Sequence, residues 1–153
     1  MQLYRGMDLK SLLENGIPFA SRTGVKVLEL EPGYVKMTMP LEPNVNHIGT
    51  MYAGALFTLA ELPGGAIFLS TFDSSRFYPI IKGMEIEFLK PAGTDITVEV
   101  RLDPEEAATI QKTANQTGKS DFTWKAELKD TRGRVVAVSS NHYQLRKIEP
   151  KGA

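Results

Sequence analysis

The chain has 153 residues, enough for one domain with a hydrophobic core, and its 42% hydrophobic and 24% charged residues are ordinary for a globular protein. Eighteen basic residues balance 18 acidic ones, which argues against general electrostatic binding of nucleic acid. The sequence has no cysteine and only two histidines, so thiolate sites and multi-histidine metal cages are excluded and no metal is expected.

The first predicted element is a short amphipathic helix that starts after Asp8, a candidate N-cap, and stops at Asn15-Gly16. The N-terminus lacks the basic-then-apolar order of a signal peptide, and we expect a cytoplasmic protein. Two strand-like runs then flank Pro32-Gly33, a pattern that predicts a β-hairpin.

The most apolar segment, from about Ala53 to Leu69, predicts a buried core helix. It carries one acid, Glu61, which would be costly in a membrane span, so no membrane association is expected. Pro63 lacks an N–H and clashes with the carbonyl of Leu59, which predicts a kink or an end just beyond Glu61. Pro63 and the two glycines that follow are interpreted as a packing device, which bends the helix around a sheet or lets two helices approach closely.

Four later segments alternate apolar and polar residues with period two, as strands with one buried and one solvated face do. Their sequences are IIKGMEIEFLKP, TDITVEVRL, KSDFTWKAELKD and RVVAVSSNHYQLRKI. Between the second and third of them, Asp103 as N-cap and Pro104 at the first helical position predict a short, mostly polar helix.

One long helix and six strands predict an α+β fold, in which an antiparallel sheet wraps around the central helix. We expect a single domain over residues 1–153, with a helix and its lead-in at 1–20 and a frayed tail at 148–153. A dimer that continues the sheet would relieve the exposed strand edges.

A polar loop containing Asn46 and Thr50 precedes the apolar helix. The first N–H groups of a helix have no internal partner, and together with the helix dipole they favour an anion or a polarised carbonyl oxygen. The small residues Ala53 and Gly54 would let a ligand approach these groups. Ordinary capping by Asn46 or Thr50 is the alternative.

Glu61 shares a helix face with Gly54, Phe57, Thr58 and Gly65. In a cleft, desolvation would raise its pKa and suit it to general-base chemistry, whereas a solvated helix edge is the alternative. Gly54 and Glu61 are separated by about 10 Å along one helix, too far to act on one small group. If both are catalytic, they come from two copies of the helix at a homodimer interface.

The segment NHIGTMYAGALFTLAE resembles the signature of the hotdog-fold acyl-CoA thioesterases, particularly the phenylacetyl-CoA thioesterase-like branch. That signature runs Asn, two residues, Gly, two residues, His-Gly-Gly, and then a helix ending in Leu-Ala-Asp or Leu-Ala-Glu. Asn46, Gly49 and Glu61 match it, while Tyr52-Ala53-Gly54 replaces His-Gly-Gly. The later GMEIEFLKPAGTDITVEV is similar to the third and fourth strands of that family, so the resemblance covers about residues 24–146.

The resemblance implies hydrolysis of an acyl-CoA thioester, with coenzyme A as part of the substrate and not as a cofactor. The carbonyl would dock near Ala53 and Gly54, and Glu61 of a partner subunit would act as base or nucleophile. Asn46 would orient the nucleophile or the carbonyl, and Tyr52 would donate a hydrogen bond in place of the histidine. The coenzyme A arm would thread along the strand near Lys82 and Gly83, and the expected substrate-binding residues are His47, Gly49, Thr58, Lys82, Gly83 and Met84.

Two other functions stay open, and so does the assembly. A hotdog protein of this kind could bind an acyl-CoA or acyl chain without turnover. Dehydration of a hydroxyacyl thioester would require an ordered histidine near the acid, and the Tyr52 replacement disfavours it. His47 either replaces the missing histidine or is a loop residue that bonds locally, and His142 is expected on a polar strand face. We expect a homodimer or homotetramer, with a pocket floor formed by Phe57, Phe68, Phe77 and Tyr78.

Overall fold

A six-stranded antiparallel sheet packs against the central apolar helices in the computed structural model, which describes residues 8–149. The strands are β1 (Lys26–Glu31), β2 (Tyr34–Met39), β3 (Phe77–Phe88), β4 (Ile96–Arg101), β5 (Lys119–Lys129) and β6 (Val135–Lys147). The helices are α1 (Leu9–Asn15), α2 (Pro18–Ser21), α3 (Ala53–Glu61), α4 (Pro63–Thr71) and α5 (Pro104–Thr117). The predicted α+β hotdog fold is confirmed.

The sheet has the strand order β1-β2-β4-β5-β6-β3, and every neighbouring pair is antiparallel. Strands β1 and β3 therefore form its two edges within the described chain. The predicted alternation is strictest in β5, where buried and exposed residues follow one another along the whole strand. Strand β3 departs from it: Met84 and Ile86 are only half-buried and Phe88 is exposed, because this strand has a neighbour on one side only.

The smaller helices follow their capping signals. The Asp8 carboxylate accepts a hydrogen bond from the N–H of Ser11 (3.0 Å), which confirms the start of α1. Asp103 accepts from the N–H of Glu105 (2.8 Å), and α5 runs for 14 residues, longer than the short helix expected. Helix α2, which begins at Pro18, was not predicted.

The central helix breaks where Pro63 predicts it. Helix α3 ends at Glu61 and α4 begins at Pro63, with Leu62 in helical conformation between them. Two side chains of β6 bind the carbonyls at the break: Asn141 Nδ2 donates to Ala60 O (3.0 Å) and Tyr143 Oη donates to Glu61 O (3.2 Å). Strand β6 therefore binds the helix backbone at the position of the break.

The segment Ala53–Thr71 is long and apolar enough to cross a membrane by composition, but it is mostly buried inside this fold and is its core helix. The cytoplasmic location stays a prediction. Parts of the predicted lead-in (residues 1–7) and of the predicted tail (residues 150–153) lie outside the described residues.

Candidate functional site

Glu61 lies half-buried at an apolar cavity of about 240 Å³. One wall comes from α1 and the residues after it, namely Leu12, Leu13, Gly16 and Ile17. The opposite wall comes from the helix break and α4, namely Leu62, Gly65, Phe68 and Leu69, and Pro79 of β3 completes the lining. Among the described residues, Glu61 contributes the only polar side chain of this lining, so the cavity combines one acid with an apolar space.

The Glu61 carboxylate has no hydrogen bond and no ion pair with any residue in 8–149. Burial raises the pKa of this carboxyl group above its ordinary value. Burial likewise raises the pKa of Tyr143 to about 12, and the nearby Glu61 charge adds to that shift, so this tyrosine stays neutral. The acid thus occupies a cleft rather than a solvated helix edge, with a raised proton affinity that suits a general base.

Helix α1 is held in place on the side of β1. The Glu14 carboxylate accepts from the N–H of Val27 (2.8 Å) and from Lys26 Nζ (3.2 Å). Lys10 Nζ donates to Leu28 O (3.2 Å). The sequence predicts this helix but not its contribution to the Glu61 cavity, and the only signal for that contribution is its apolar face of Leu9, Leu12 and Leu13.

The start of α3 presents unpaired backbone donors. Tyr52 is the N-cap residue, and its side chain makes no capping hydrogen bond. The N–H groups of Ala55 and Leu56 bind the carbonyl of Tyr52, whereas those of Ala53 and Gly54 have no acceptor within the described chain. The alternative that Asn46 or Thr50 caps the helix is therefore wrong.

The Asn46 side chain organises the loop before α3. Its Oδ1 accepts from the N–H groups of Ile48 (3.0 Å) and Thr50 (3.1 Å), and its Nδ2 donates to Thr50 Oγ1 (2.9 Å). Both polar atoms of the Asn46 amide are therefore bonded within the loop. The predicted role of Asn46 in orienting a reacting group stays a prediction. Gly49 supplies a left-handed turn residue with φ of 81°.

Tyr52 and His47, which lie just before helix α3, both have exposed side chains. The ring of Tyr52 lies against Gly54, where an added Cβ would collide with it. The Tyr52 hydroxyl and the His47 ring make no hydrogen bond with residues 8–149, so the local bond expected of His47 is not found. Gly54 therefore seats the Tyr52 ring over the start of α3.

The remaining predicted binding residues lie away from the Glu61 cavity. Lys82, Gly83 and Met84 lie on edge strand β3, which has an irregular register between Ile81 and Gly83. Lys82 Nζ is 3.6 Å from Asp121 Oδ1. None of the three lines the cavity.

Asp121 of β5 lies in a polar cluster with Lys82 of β3 and with His142 and Gln144 of β6. A hydrogen bond from Gln144 is the main cause that lowers its pKa, helped by Lys82 and His142. His142 Nε2 lies 3.4 Å from Asp121 Oδ1, which confirms the polar-face position predicted for His142. On α3, Thr58 Oγ1 donates to the carbonyl of Gly54 (2.8 Å).

Comparison with known proteins places the chain in a family. It matches the family model described as a domain of unknown function, DUF4442, over residues 8–144. The chain belongs to the DUF4442 family. The crystal structure of PA5026 from Pseudomonas aeruginosa, described as a protein of unknown function and "probable thioesterase", is 52% identical and has a TM-score of 0.89, covering 91% of this chain and 93% of that one. None of the curated proteins matches the chain.

More distant structures share the fold of this DUF4442 chain. Thioesterase HI1161 from Haemophilus influenzae is 14% identical with a TM-score of 0.71, and covers 95% of this chain and 92% of its own. Protein OLEI01261 of unknown function from Chlorobaculum tepidum is 18% identical with a TM-score of 0.78, covering 92% and 93%. At these identities the likenesses show the fold alone. The phenylacetyl-CoA thioesterase-like branch stays a prediction.

The four aromatic residues predicted to form a pocket floor do not lie together at the Glu61 cavity. Of the four, only Phe68 lines the Glu61 cavity, whereas Phe77 is fully buried in the core and Phe57 is exposed. Tyr78 lines a different surface cleft. Helix and strand periods indicate which face of an element a residue occupies, but not which neighbouring cavity that face meets.

One DUF4442 chain does not bring the two predicted halves of the site together. Glu61 ends α3, while the unpaired N–H groups of Ala53 and Gly54 begin it. At 1.5 Å per residue the two ends lie about 10 Å apart. Within residues 8–149 no three histidine, aspartate or glutamate side chains cluster to hold a metal ion.

Proposed function

We propose that this DUF4442 protein hydrolyses an acyl-CoA thioester to a free acid and coenzyme A. The observation that carries the proposal is the Glu61 carboxylate, which lies half-buried at an apolar cavity without a hydrogen bond or ion pair in the described chain. An unpaired acid in such a place destabilises a fold, so its presence favours a chemical role. The 52% identity to PA5026, described as a probable thioesterase, supports hydrolysis of a thioester.

In the proposed reaction the thioester carbonyl oxygen accepts hydrogen bonds from the N–H groups of Ala53 and Gly54. The helix dipole and these donors stabilise the negative charge that develops on that oxygen. Glu61 removes a proton from water, and the hydroxide adds to the carbonyl carbon. The tetrahedral intermediate then expels the coenzyme A thiolate, which takes the proton back from Glu61. Direct attack by Glu61 would form an anhydride that water hydrolyses to the same products.

The geometry calls for two subunits, because one chain holds its acid and its donors at opposite ends of α3. We propose a homodimer in which Glu61 of one protomer faces the start of α3 of its partner, with a homotetramer as a further assembly. Edge strand β3 supports this arrangement, since its outer edge is unpaired in the described chain and Ile81 and Phe88 are exposed on it. Phe57 of α3 is exposed as well. The coenzyme A arm would then run along β3 past Lys82 and Gly83.

The main test is thiol release from acetyl-, octanoyl- and phenylacetyl-CoA by the wild-type protein and by Glu61→Gln. We expect the substitution to lower kcat about 10²- to 10⁴-fold, the range for loss of a general base. Glu106→Gln, an exposed change on α5, is the matched control and should keep wild-type turnover. Wild-type rates in Glu61→Gln would contradict the proposed chemistry.

A second candidate, acyl-CoA binding without turnover, is favoured by the Tyr52 ring that lies over the start of α3. The same assay separates the two functions when it is paired with calorimetric titration of octanoyl-CoA. Binding with no thiol release from any substrate would establish the binding protein and exclude the hydrolase.

The donors at the start of α3 can be tested separately with Ala53→Pro. Proline at the first helical position removes one N–H and fits helical geometry, and the extended conformation of Tyr52 suits a residue before proline. We expect kcat to fall about 10²- to 10³-fold, as for loss of one oxyanion donor.

Co-expression of Ala53→Pro with Glu61→Gln then tests whether the site is shared. A mixed dimer carries one doubly altered site and one intact site, so random mixing should restore about a quarter of wild-type activity. No restoration in isolated mixed dimers would contradict the shared site.

A further inference from the structure

The cavity beside Glu61 has a size and chemistry that indicate an acyl group. We propose that it is the acyl pocket of the thioester site, that it selects uncharged apolar acyl groups of intermediate size, and that Gly65 determines its depth. This inference rests on the proposed function for the link to coenzyme A thioesters. The pocket itself rests on the lining, volume and glycine geometry of the described chain.

The lining selects against a second charge. Among residues 8–149, every lining residue apart from Glu61 is apolar, and no lysine, arginine or histidine of this range contributes to the lining. An acyl group that ends in a carboxylate would lose its hydration there, meet no cation and lie near the Glu61 charge. Succinyl-CoA should therefore be a far poorer substrate than butyryl-CoA, whose acyl chain has the same number of carbons.

The volume sets an upper size. An apolar cavity of about 150 Å³ holds one benzene ring. By proportion, a cavity of about 240 Å³ holds roughly six to ten carbons. A medium-length alkyl chain or an arylacetyl group fits within this space, whereas a 16-carbon palmitoyl chain would extend beyond it.

Gly65 lies one helical turn beyond Glu61 and faces the same cavity. A Cβ built on Gly65 meets no atom within 4 Å, so the space beside it is open. A larger side chain at this position would extend into the pocket without first displacing the protein. The opposite wall is α1, which Glu14 holds on β1.

The test measures kcat/KM for acetyl-, butyryl-, octanoyl-, phenylacetyl-, succinyl- and palmitoyl-CoA. Each added methylene should raise kcat/KM roughly fourfold until the pocket is full, equivalent to ~0.8 kcal/mol. We expect octanoyl-CoA to exceed acetyl-CoA at least 100-fold, succinyl-CoA to fall at least 100-fold below butyryl-CoA, and palmitoyl-CoA to fall below octanoyl-CoA.

Gly65→Leu should reduce the octanoyl-to-acetyl ratio of kcat/KM at least tenfold. Gly93→Leu is the matched control, because Gly93 is also without neighbours within 4 Å but lies outside the cavity, and it should leave that ratio unchanged. Gly65→Ala provides a smaller change in the same direction if the leucine variant does not fold. An unchanged ratio in folded Gly65 variants would overturn the assignment of the pocket.

Calorimetry on Glu61→Gln separates this inference from the proposed hydrolysis. Titration with octanoyl-CoA and acetyl-CoA reads acyl selectivity without turnover, and we expect the octanoyl ester to bind at least 100-fold more tightly. Selective binding that Gly65→Leu abolishes supports the pocket even if the wild-type protein hydrolyses nothing. Hydrolysis with equal rates and affinities for acetyl and octanoyl esters overturns the pocket and leaves the hydrolase standing.

Discussion

Gly64 and Gly65 are neighbours in sequence, but they face opposite sides of the central helix. A Cβ on Gly64 would collide with the ring and hydroxyl of Tyr143, whereas a Cβ on Gly65 meets nothing within 4 Å. One glycine lets the helix approach the sheet, and the other leaves a cavity beside Glu61. The same residue type therefore serves packing on one face and open space on the other.

The contrast extends to the groups around the two glycines. On the sheet side, Asn141 and Tyr143 bind the carbonyls of Ala60 and Glu61, and Tyr143 stacks on Phe122. On the cavity side, the Glu61 carboxylate makes no bond within residues 8–149. The backbone of Glu61 is thus held from behind, while its side chain remains available for chemistry.

Gly64→Ala should have the largest effect on stability. The added methyl group meets a tyrosine ring that is itself buried against Phe122 and Trp124, so neither partner can move easily. We expect a loss of about 1–3 kcal/mol in the free energy of unfolding, measured by urea denaturation. An unchanged midpoint would show that the helix can move away from β6.

Tyr143→Phe removes the hydroxyl that donates to Glu61 O and accepts from Asn141 Nδ2 (3.0 Å). The loss in unfolding free energy should be about 1–2 kcal/mol, because two hydrogen bonds disappear while the ring packing and the bond from Asn141 Nδ2 to Ala60 O stay. If the variant is as stable as the wild type, the Tyr143 hydroxyl does not stabilise the helix break between α3 and α4. Thiol-release assays on the same variant then show whether Glu61 depends on it.

Gly65→Ala should raise the stability by about 0.5–1 kcal/mol, since alanine favours a helix over glycine and the methyl group meets no neighbour. This gain contrasts in sign with the loss in Gly64→Ala, and parallel urea titrations of the two variants compare them directly. A loss of stability at both positions would remove the distinction between the two faces.

The smallest expected effect is the pH dependence of Glu61→Gln. Burial raises the pKa of Glu61 in the folded state, so the folded protein binds more protons than the unfolded chain between the ordinary and the raised pKa. Stability from this group therefore falls as the pH rises through that window, above about 4.3. Glu61→Gln should be more stable than the wild type at pH 7, with the difference lost at pH 4 in thermal melts. A difference that does not change with pH would contradict the burial of the charge.

Much of the architecture follows from local pattern. The alternation in β5 and the capping residues Asp8 and Asp103 are short-range signals, and each predicts its element. Pro63 likewise predicts the break, because the missing N–H is a property of that residue alone. The hotdog fold could be anticipated because these elements occur in the order that a sheet around one helix requires.

The candidate site depends on contacts that no local pattern encodes. Leu12 and Leu13 indicate an apolar helix face, but the sequence does not show that this face meets Glu61. Phe77 and Phe68 look equally suited to a pocket floor, yet one fills the core and the other lines the cavity. Gly64 and Gly65 differ only through Tyr143, which is distant in sequence.

The two hydrogen bonds that Asn141 and Tyr143 of β6 donate to α3 also fix the rotation of this helix about its axis. They grip the carbonyls of consecutive residues, Ala60 and Glu61, so sliding the helix by one residue would turn the acid by about 100° while breaking both bonds. Insertions or deletions between Ala53 and Glu61 should therefore misdirect the acid. The two bonds from β6 therefore keep the Glu61 side chain directed at the cavity.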